Sequence, residues 1–214
     1  MKYPILCYDD FYDAPEAVFE YAKTLEYSED PLGTWPGLRS YRIDMINPDL
    51  QQAFVDKIFS FFYDLDNVSI SADVVSYFQV IPPYSEDKSS AKNKGWIHKD
   101  EGVDYAGIIY LTPSADLDMG TSIFRQKSGD LDIDPSWYSA KSRLYLGEDI
   151  SDEEYDASMK HHRSQFEEVT RYNNVFNRLI SFDSTNWHAA NCFKSNGEHP
   201  RLTQVFFIKD IEVT

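Results

Sequence analysis

His98 and Asp100 stand one residue apart in Trp96-Ile97-His98-Lys99-Asp100. On a strand, residues i and i+2 point to the same face, so an imidazole and a carboxylate converge there. His188 lies far downstream, in Asn186-Trp187-His188, again in a stretch that reads as strand. Two imidazoles and one carboxylate can hold Fe(II) on one face of its octahedron, leaving three positions open for a co-substrate and O₂. A His-x-Asp pair alone arises often by chance, and a further element gives the pattern weight. Arg201 opens Arg201-Leu202-Thr203-Gln204-Val205-Phe206-Phe207-Ile208, a strand that otherwise reads as buried. A buried guanidinium needs an anionic partner, and its planar fork suits a carboxylate. Thr203 shares the Arg201 face by the period of two and adds a hydroxyl. The pair is a candidate seat for the distal carboxylate of 2-oxoglutarate.

The order His-x-Asp, then a distant His, then Arg-x-Thr on the last core strand resembles the Fe(II)/2-oxoglutarate-dependent dioxygenases, in particular their prolyl-hydroxylase-like branch. Tyr77-Phe78-Gln79-Val80-Ile81-Pro82-Pro83, Gly107-Ile108-Ile109-Tyr110-Leu111-Thr112 and Asn177-Arg178-Leu179-Ile180-Ser181-Phe182-Asp183 are similar to strands of that family. The resemblance covers about residues 73–125 and 173–208. It implies that His98, Asp100 and His188 ligate iron, and that Arg201 pairs with the 2-oxoglutarate 5-carboxylate, supported by Tyr110 and Thr203. The implied fold is mainly β with flanking helices, built on a double-stranded β-helix (a jelly-roll, cupin-like core). The implied reaction consumes O₂ and 2-oxoglutarate, releases succinate and CO₂, and hydroxylates a peptide side chain or a small metabolite. The stretch from His188 to Arg201 is longer than usual for this branch, and Cys192–Pro200 is expected to bulge outward at Asn196-Gly197.

The elements that must position these residues can be read from periodicity and caps. Residues 3–8 read as a short strand. Asp13 is expected to cap a helix with Pro15 in its first turn, and Val18, Tyr21, Ala22 and Leu25 recur at helical spacing. Asn47-Pro48 opens a second helix, with Leu50, Phe54, Ile58, Phe61, Phe62 and Leu65 as a core stripe. Strands are expected at 73–81, 96–100, 105–112, 121–125, 175–182, 187–190 and 202–208, and residues 84–95 read as a polar loop. The segment 126–170 interrupts this pattern with 11 Asp/Glu against 5 Lys/Arg. Ser151 and Glu154 form a capping-box signature, so about 151–168 is expected to be helical. The segment reads as a solvated face, with a lid or substrate-binding element as the other reading. The expected organisation is one oxygenase-like domain over 1–214, with helical support in 1–66, a β core in 73–125 and 173–208, and an acidic insertion in 126–170.

Composition narrows the function. The 214 residues carry a formal net charge of −16 and 33 aromatic side chains. An acidic excess of this size disfavours a phosphate-backbone binder. A nucleic-acid demethylase of the same superfamily is disfavoured again because its second arginine, six residues after the first, is here Phe207. No stretch approaches the roughly 20 apolar residues of a membrane helix, and the N-terminus turns acidic too soon for a signal peptide. Cys7 and Cys192 make no metal-type pair and are expected to be buried free thiols, which suits a cytoplasmic protein. His161 and His162 are expected at the surface, since helix neighbours diverge, and His199 is expected in an exposed turn. Trp96, Tyr105, Trp137, Tyr138 and Trp187 are candidate pocket aromatics, Trp96 foremost, and Arg125 is a candidate for meeting an anionic substrate. A metal-binding β-barrel without oxygenase activity and a zinc-type hydrolase remain alternatives.

Overall fold

The computed structural model describes residues 3–127, 129, 135–197 and 199–214, apart from the side chains of 135–137. Its strands are β1 (Leu6–Tyr8), β2 (Tyr27–Glu29), β3 (Leu38–Ser40), β4 (Ile70–Ile81), β5 (Tyr105–Tyr110), β6 (Thr121–Gln126), β7 (Phe166–Tyr172), β8 (Leu179–Asp183), β9 (Trp187–Ala190) and β10 (Arg201–Val213). Its helices are α1 (Pro15–Lys23), α2 (Ile43–Ile46), α3 (Pro48–Ser60), α4 (Pro135–Tyr145) and α5 (Asp152–Ser164).

The strands form two antiparallel sheets. The larger has the order β1-β8-β5-β10-β4-β3-β2, and the smaller has β7-β6-β9. They meet through Ala106, Tyr110, Ile180 and Phe182 of the larger sheet and Ile123 of the smaller. This is the double-stranded β-helix that the motif order implied. The other face of the larger sheet is covered by α1 and α3. Phe19, Phe54 and Ile58 pack there against Phe78, Leu202 and Phe206, with the Phe54 and Phe206 rings 4.9 Å apart. Burial of each such ring contributes roughly 2–3 kcal/mol.

With both faces covered, β10 is buried from Arg201 to Phe206. Its period of two still sorts side chains by chemistry. Leu202, Phe206 and Ile208 face the helices, whereas Arg201, Val205 and Phe207 line an interior cavity. The register carries this sorting across the sheet, because Thr203 lies opposite Tyr110 on one side and Gln79 on the other. Gln79 in turn lies opposite Arg39.

Several local expectations are met. The Asn47 carboxamide oxygen accepts from the Leu50 amide at 3.1 Å and caps α3, and the Ser151 hydroxyl accepts from the Glu154 amide at 3.1 Å and caps α5. Others are corrected. Ala14, not Asp13, precedes α1, and Asp13 is instead exposed and 3.5 Å from Lys57 Nζ. The helix α3 ends at Ser60, Phe61 and Phe62 still pack against the core just beyond it, and Leu65 is exposed. Cys7 is exposed on an edge strand, while Cys192 is buried. Residues 84–95 are pinned rather than loose: the Asn93 side chain accepts from the amides of Tyr84 and Ser85 and donates to the carbonyls of Ser85 and Asp87. The N-terminal 66 residues supply three strands of the larger sheet besides their helices. Beyond α5, residues expected to stay helical or loop-like form β7, whose partner β6 draws them into the smaller sheet.

Candidate metal centre

His98 and His188 meet across an isolated antiparallel bridge beside β9. Each amide donates to the other's carbonyl, at 3.0 and 2.9 Å. Gly95 permits this approach. A Cβ there would lie 2.8 Å from the Ala190 nitrogen, which is backbone and cannot swing aside. Upstream of His188, the Asp183 carboxylate accepts from the Thr185 amide and hydroxyl, and its carbonyl accepts from the Asn186 side chain. This turn carries the chain from the larger sheet into the smaller.

The ligand-type atoms of His98, Asp100 and His188 all lie within 4.8 Å of one another. His98 Nε2 is 3.7 Å from one Asp100 carboxylate oxygen, and His188 Nε2 is 3.5 Å from the other. The opposite nitrogens are engaged in the same way in both rings. His98 Nδ1 is 2.9 Å from the Trp96 carbonyl, and His188 Nδ1 is 3.1 Å from the Asn186 carbonyl. A carbonyl can only accept, so each Nδ1 carries the proton and each Nε2 presents a lone pair towards Asp100. Such outer contacts fix the orientation of metal-binding imidazoles. Metal ligation needs neutral imidazoles, and the two Nδ1–H bonds leave each Nε2 free for it. The donor set, one charge and two neutral nitrogens on one side, fits Fe(II) with open positions opposite.

The triad opens into a cavity of about 720 Å³ of atom-free space, counting its open mouth. Arg201 lines the cavity and is 2% exposed. Its Nε donates to the Met119 carbonyl at 3.0 Å, and its Nη2 has no partner. Its charge centre lies 5.6 Å from the Tyr110 ring. The Thr203 hydroxyl is also buried without a partner. A buried guanidinium with a free edge beside a free hydroxyl fits a carboxylate end of 2-oxoglutarate. Tyr110 is fully buried, and its hydroxyl donates to Thr121 at 2.8 Å, so it backs Arg201 with its ring while its hydroxyl is already engaged.

Trp96 lines the cavity, as expected. Its indole N–H donates to the Tyr155 hydroxyl at 2.8 Å, so α5 holds the ring from behind. Arg125 does not meet the cavity. It ends β6 on the outer side, 71% exposed, with its guanidinium 2.7 Å from Glu167. The cause is strand alternation beside the exposed face of β7. Tyr105 packs on the helical side, Trp187 sits under Lys99, Tyr138 is 54% exposed, and the Trp137 side chain lies outside the described residues. His199 is half-buried, edge-on to Phe19.

One contributor, His162, was expected at the surface, and two more, Arg39 and Lys141, are not marked by the sequence. His162 is 2% exposed, and its Nε2 donates to the Ile97 carbonyl at 2.9 Å, bracing the His98 segment. Tyr155, Met159 and His162 recur at helical spacing, and that stripe is the signal that would have exposed the buried histidine. Arg39 and Lys141 also line the cavity, one from β3 and the other from α4 in the acidic insertion. Nothing local in their sequence contexts marks them.

The fold is that of solved 2-oxoglutarate- and Fe(II)-dependent oxygenases. The similarity extends over nearly the whole chain. A prolyl hydroxylase from Trichoplax adhaerens, in complex with a hypoxia inducible factor peptide fragment, superposes with a TM-score of 0.53 at 11% identity, covering 96% of this chain and 83% of that one. HygX from Streptomyces hygroscopicus, with nickel and 2-oxoglutarate bound, gives 0.53 at 12% identity over 96% and 83%. The α-ketoglutarate-dependent epimerase SnoN from nogalamycin biosynthesis gives 0.54 at 10% identity over 98% and 78%. By sequence, the chain belongs to a family of unknown function, DUF6445, whose model matches residues 1–208. No curated protein matches it.

Proposed function

We propose that the protein is an Fe(II)- and 2-oxoglutarate-dependent oxygenase that hydroxylates a small metabolite or a peptide side chain. The observation that carries this reading is Arg201, a fully buried cation whose free edge lines the same cavity as the triad. A hydrolase or a passive metal-binding barrel has no use for such a group, and its desolvation is unfavourable unless an anion arrives. His98, Asp100 and His188 would hold Fe(II). When bound, the metal supplies O₂ activation coupled to decarboxylation of 2-oxoglutarate to succinate and CO₂. The protein's own part is orientation and exclusion. Arg201 and Thr203 would take the distal carboxylate. The walls formed by Trp96, Phe182 and Phe207 keep the reacting region apolar. The substrates named for the structural relatives, a peptide for the prolyl hydroxylase and antibiotics for other enzymes of this fold, leave both substrate classes open to this cavity.

Anaerobic titration of the metal-free protein with Fe(II), then 2-oxoglutarate, tests the reading by visible absorbance. A keto-acid chelate on Fe(II) produces a weak metal-to-ligand band. The band is expected in the wild type, lost in His188→Ala and weakened in Arg201→Ala. Iron binding without the band in the wild type would overturn the oxygenase reading, and absence of iron binding would overturn the metal centre itself.

A further inference from the structure

The chain is strongly acidic, yet the charged residues lining the cavity are Arg39, Lys141 and Arg201 against the single carboxylate Asp100. If the oxygenase reading holds, Fe(II), Asp100, the 2-oxoglutarate dianion and Arg201 sum to neutrality. Arg39 and Lys141 are then left over in the same cavity.

Neither has a carboxylate within 4 Å among the described residues. The Arg39 guanidinium lies between rings, 4.3 Å from the Trp35 centroid and 5.5 Å from those of Tyr77 and Phe207. Its Nε is buried with no acceptor. Ring contacts offset part of a cation's desolvation but cannot accept its five in-plane N–H bonds. Burial accordingly pulls its pKa down to about 10, and burial likewise lowers that of Lys141. The acidic residue whose charge reaches both is Asp30. Its oxygens are taken by the amides of Leu32, Thr34 and Trp35 and by the Thr34 hydroxyl, so it shapes the loop rather than pairing with either cation.

Both cations line the cavity that the triad lines. The loop that leads into β3 packs on α4, because Gly33 sits where a Cβ would lie 2.9 Å from the Ser142 carbonyl. Trp35, Pro36 and Trp96 line the same cavity and are apolar.

We propose that the primary substrate is an organic carboxylate with an apolar body, received in this cavity by Arg39 and Lys141. The Arg39 fork suits a two-oxygen acceptor and Lys141 adds a point charge. The proposal deepens the oxygenase reading and rests on it for the pairing of Arg201 with 2-oxoglutarate.

The test uses the protein loaded anaerobically with Fe(II) and saturating 2-oxoglutarate, which keeps Arg201 occupied. The probes are benzoate and 3-phenylpropionate, each beside its uncharged amide. Binding is followed by tryptophan fluorescence, since Trp35 and Trp96 line the cavity, while the chelate band is recorded in the same samples. The acids are expected to bind about tenfold or more tighter than the amides, the scale of a charge-assisted contact. Arg39→Gln should remove most of that preference and Lys141→Gln part of it. Arg39→Lys, which keeps the charge, should retain a fraction, and amide binding should not move. Equal binding of acid and amide, or no probe bound at millimolar concentration while the band is present, overturns the proposal and leaves the oxygenase reading intact. An acid preference that depends on Arg39 in protein lacking the band strikes the oxygenase reading and leaves the anion site standing.

Discussion

The outer surface and the cavity treat positive charge in opposite ways. Outside, cations are paired and wet: Arg125 with Glu167 at 2.7 Å, Arg143 with Glu154 at 2.6 Å, Arg171 with Glu168 at 2.7 Å. Inside, Arg201, Arg39 and Lys141 line one cavity with Asp100, and among the described residues none of the three is paired with a carboxylate within 4 Å. Exposed pairs of the first kind contribute little, because water already solvates both partners. Desolvated cations of the second kind are held at a cost that only a ligand can offset. The difference separates cations that are paired in water from cations that are desolvated in a cavity, in a chain whose overall balance is acidic.

The sharpest way to break this contrast is Arg201→Met. Removing one member of a buried charge pair costs about 2–5 kcal/mol of binding, so 2-oxoglutarate affinity should fall roughly 30-fold or more by calorimetry with Fe(II) affinity little changed. The ligand-free protein should melt no lower than wild type, since the deleted charge had no anion to lose. A loss of stability beyond about 2 kcal/mol, the scale of one buried polar contact, would mean that Arg201 is already satisfied by structure.

An intermediate effect is expected from pH. Burial first, then the Arg163, Lys141 and His161 charges, lower His162 to about 4, against the ordinary value of 6.5. The unfolded chain therefore takes up a proton near pH 6.5 that the native state resists until about pH 4. Stability should be flat above neutrality and fall across that window, by on the order of 3 kcal/mol if the shift is fully expressed. Comparing wild type with His162→Gln by denaturant titration at pH 7 and pH 5 isolates the His162 part. An unchanged difference between the two proteins at both pH values would show that His162 is not protected from protonation.

The smallest effect belongs to the outer pair. Arg125→Ala should leave the melting temperature, 2-oxoglutarate binding and probe binding unchanged. A change in probe binding would restore the inward-facing role that strand alternation denies it.

Much of the site was legible because its spacing is short and its elements are regular. The expected strand at 96–100 is not formed, and an isolated bridge from His98 to His188 holds the segment instead, yet His98 and Asp100 still converge; Arg201 announces itself as a charge in a run that otherwise reads as buried. The Asn47 and Ser151 caps are local hydrogen bonds and appear as read. His162 was misplaced because adjacency to His161 was weighed over the stripe with Tyr155 and Met159. Arg125 was misplaced because one end of a six-residue strand does not announce which face is solvent. Cys7 lies exposed on the short edge strand β1, where nothing covers it.

The sequence by itself therefore determined the donor types, the strand that carries the buried arginine and a mainly β chain with flanking helices, because these follow from period-two alternation and local caps; the jelly-roll was implied by the resemblance of the motif order. Only the tertiary structure decided what surrounds them. Thr203, Gln79 and Arg39 come from separate strands and share a row through antiparallel register. Lys141 arrives from a segment whose composition reads as a solvated acidic face, because α4 packs against the Trp35 loop at Gly33. Such convergence depends on contacts between residues distant in the chain, and no window of sequence contains it.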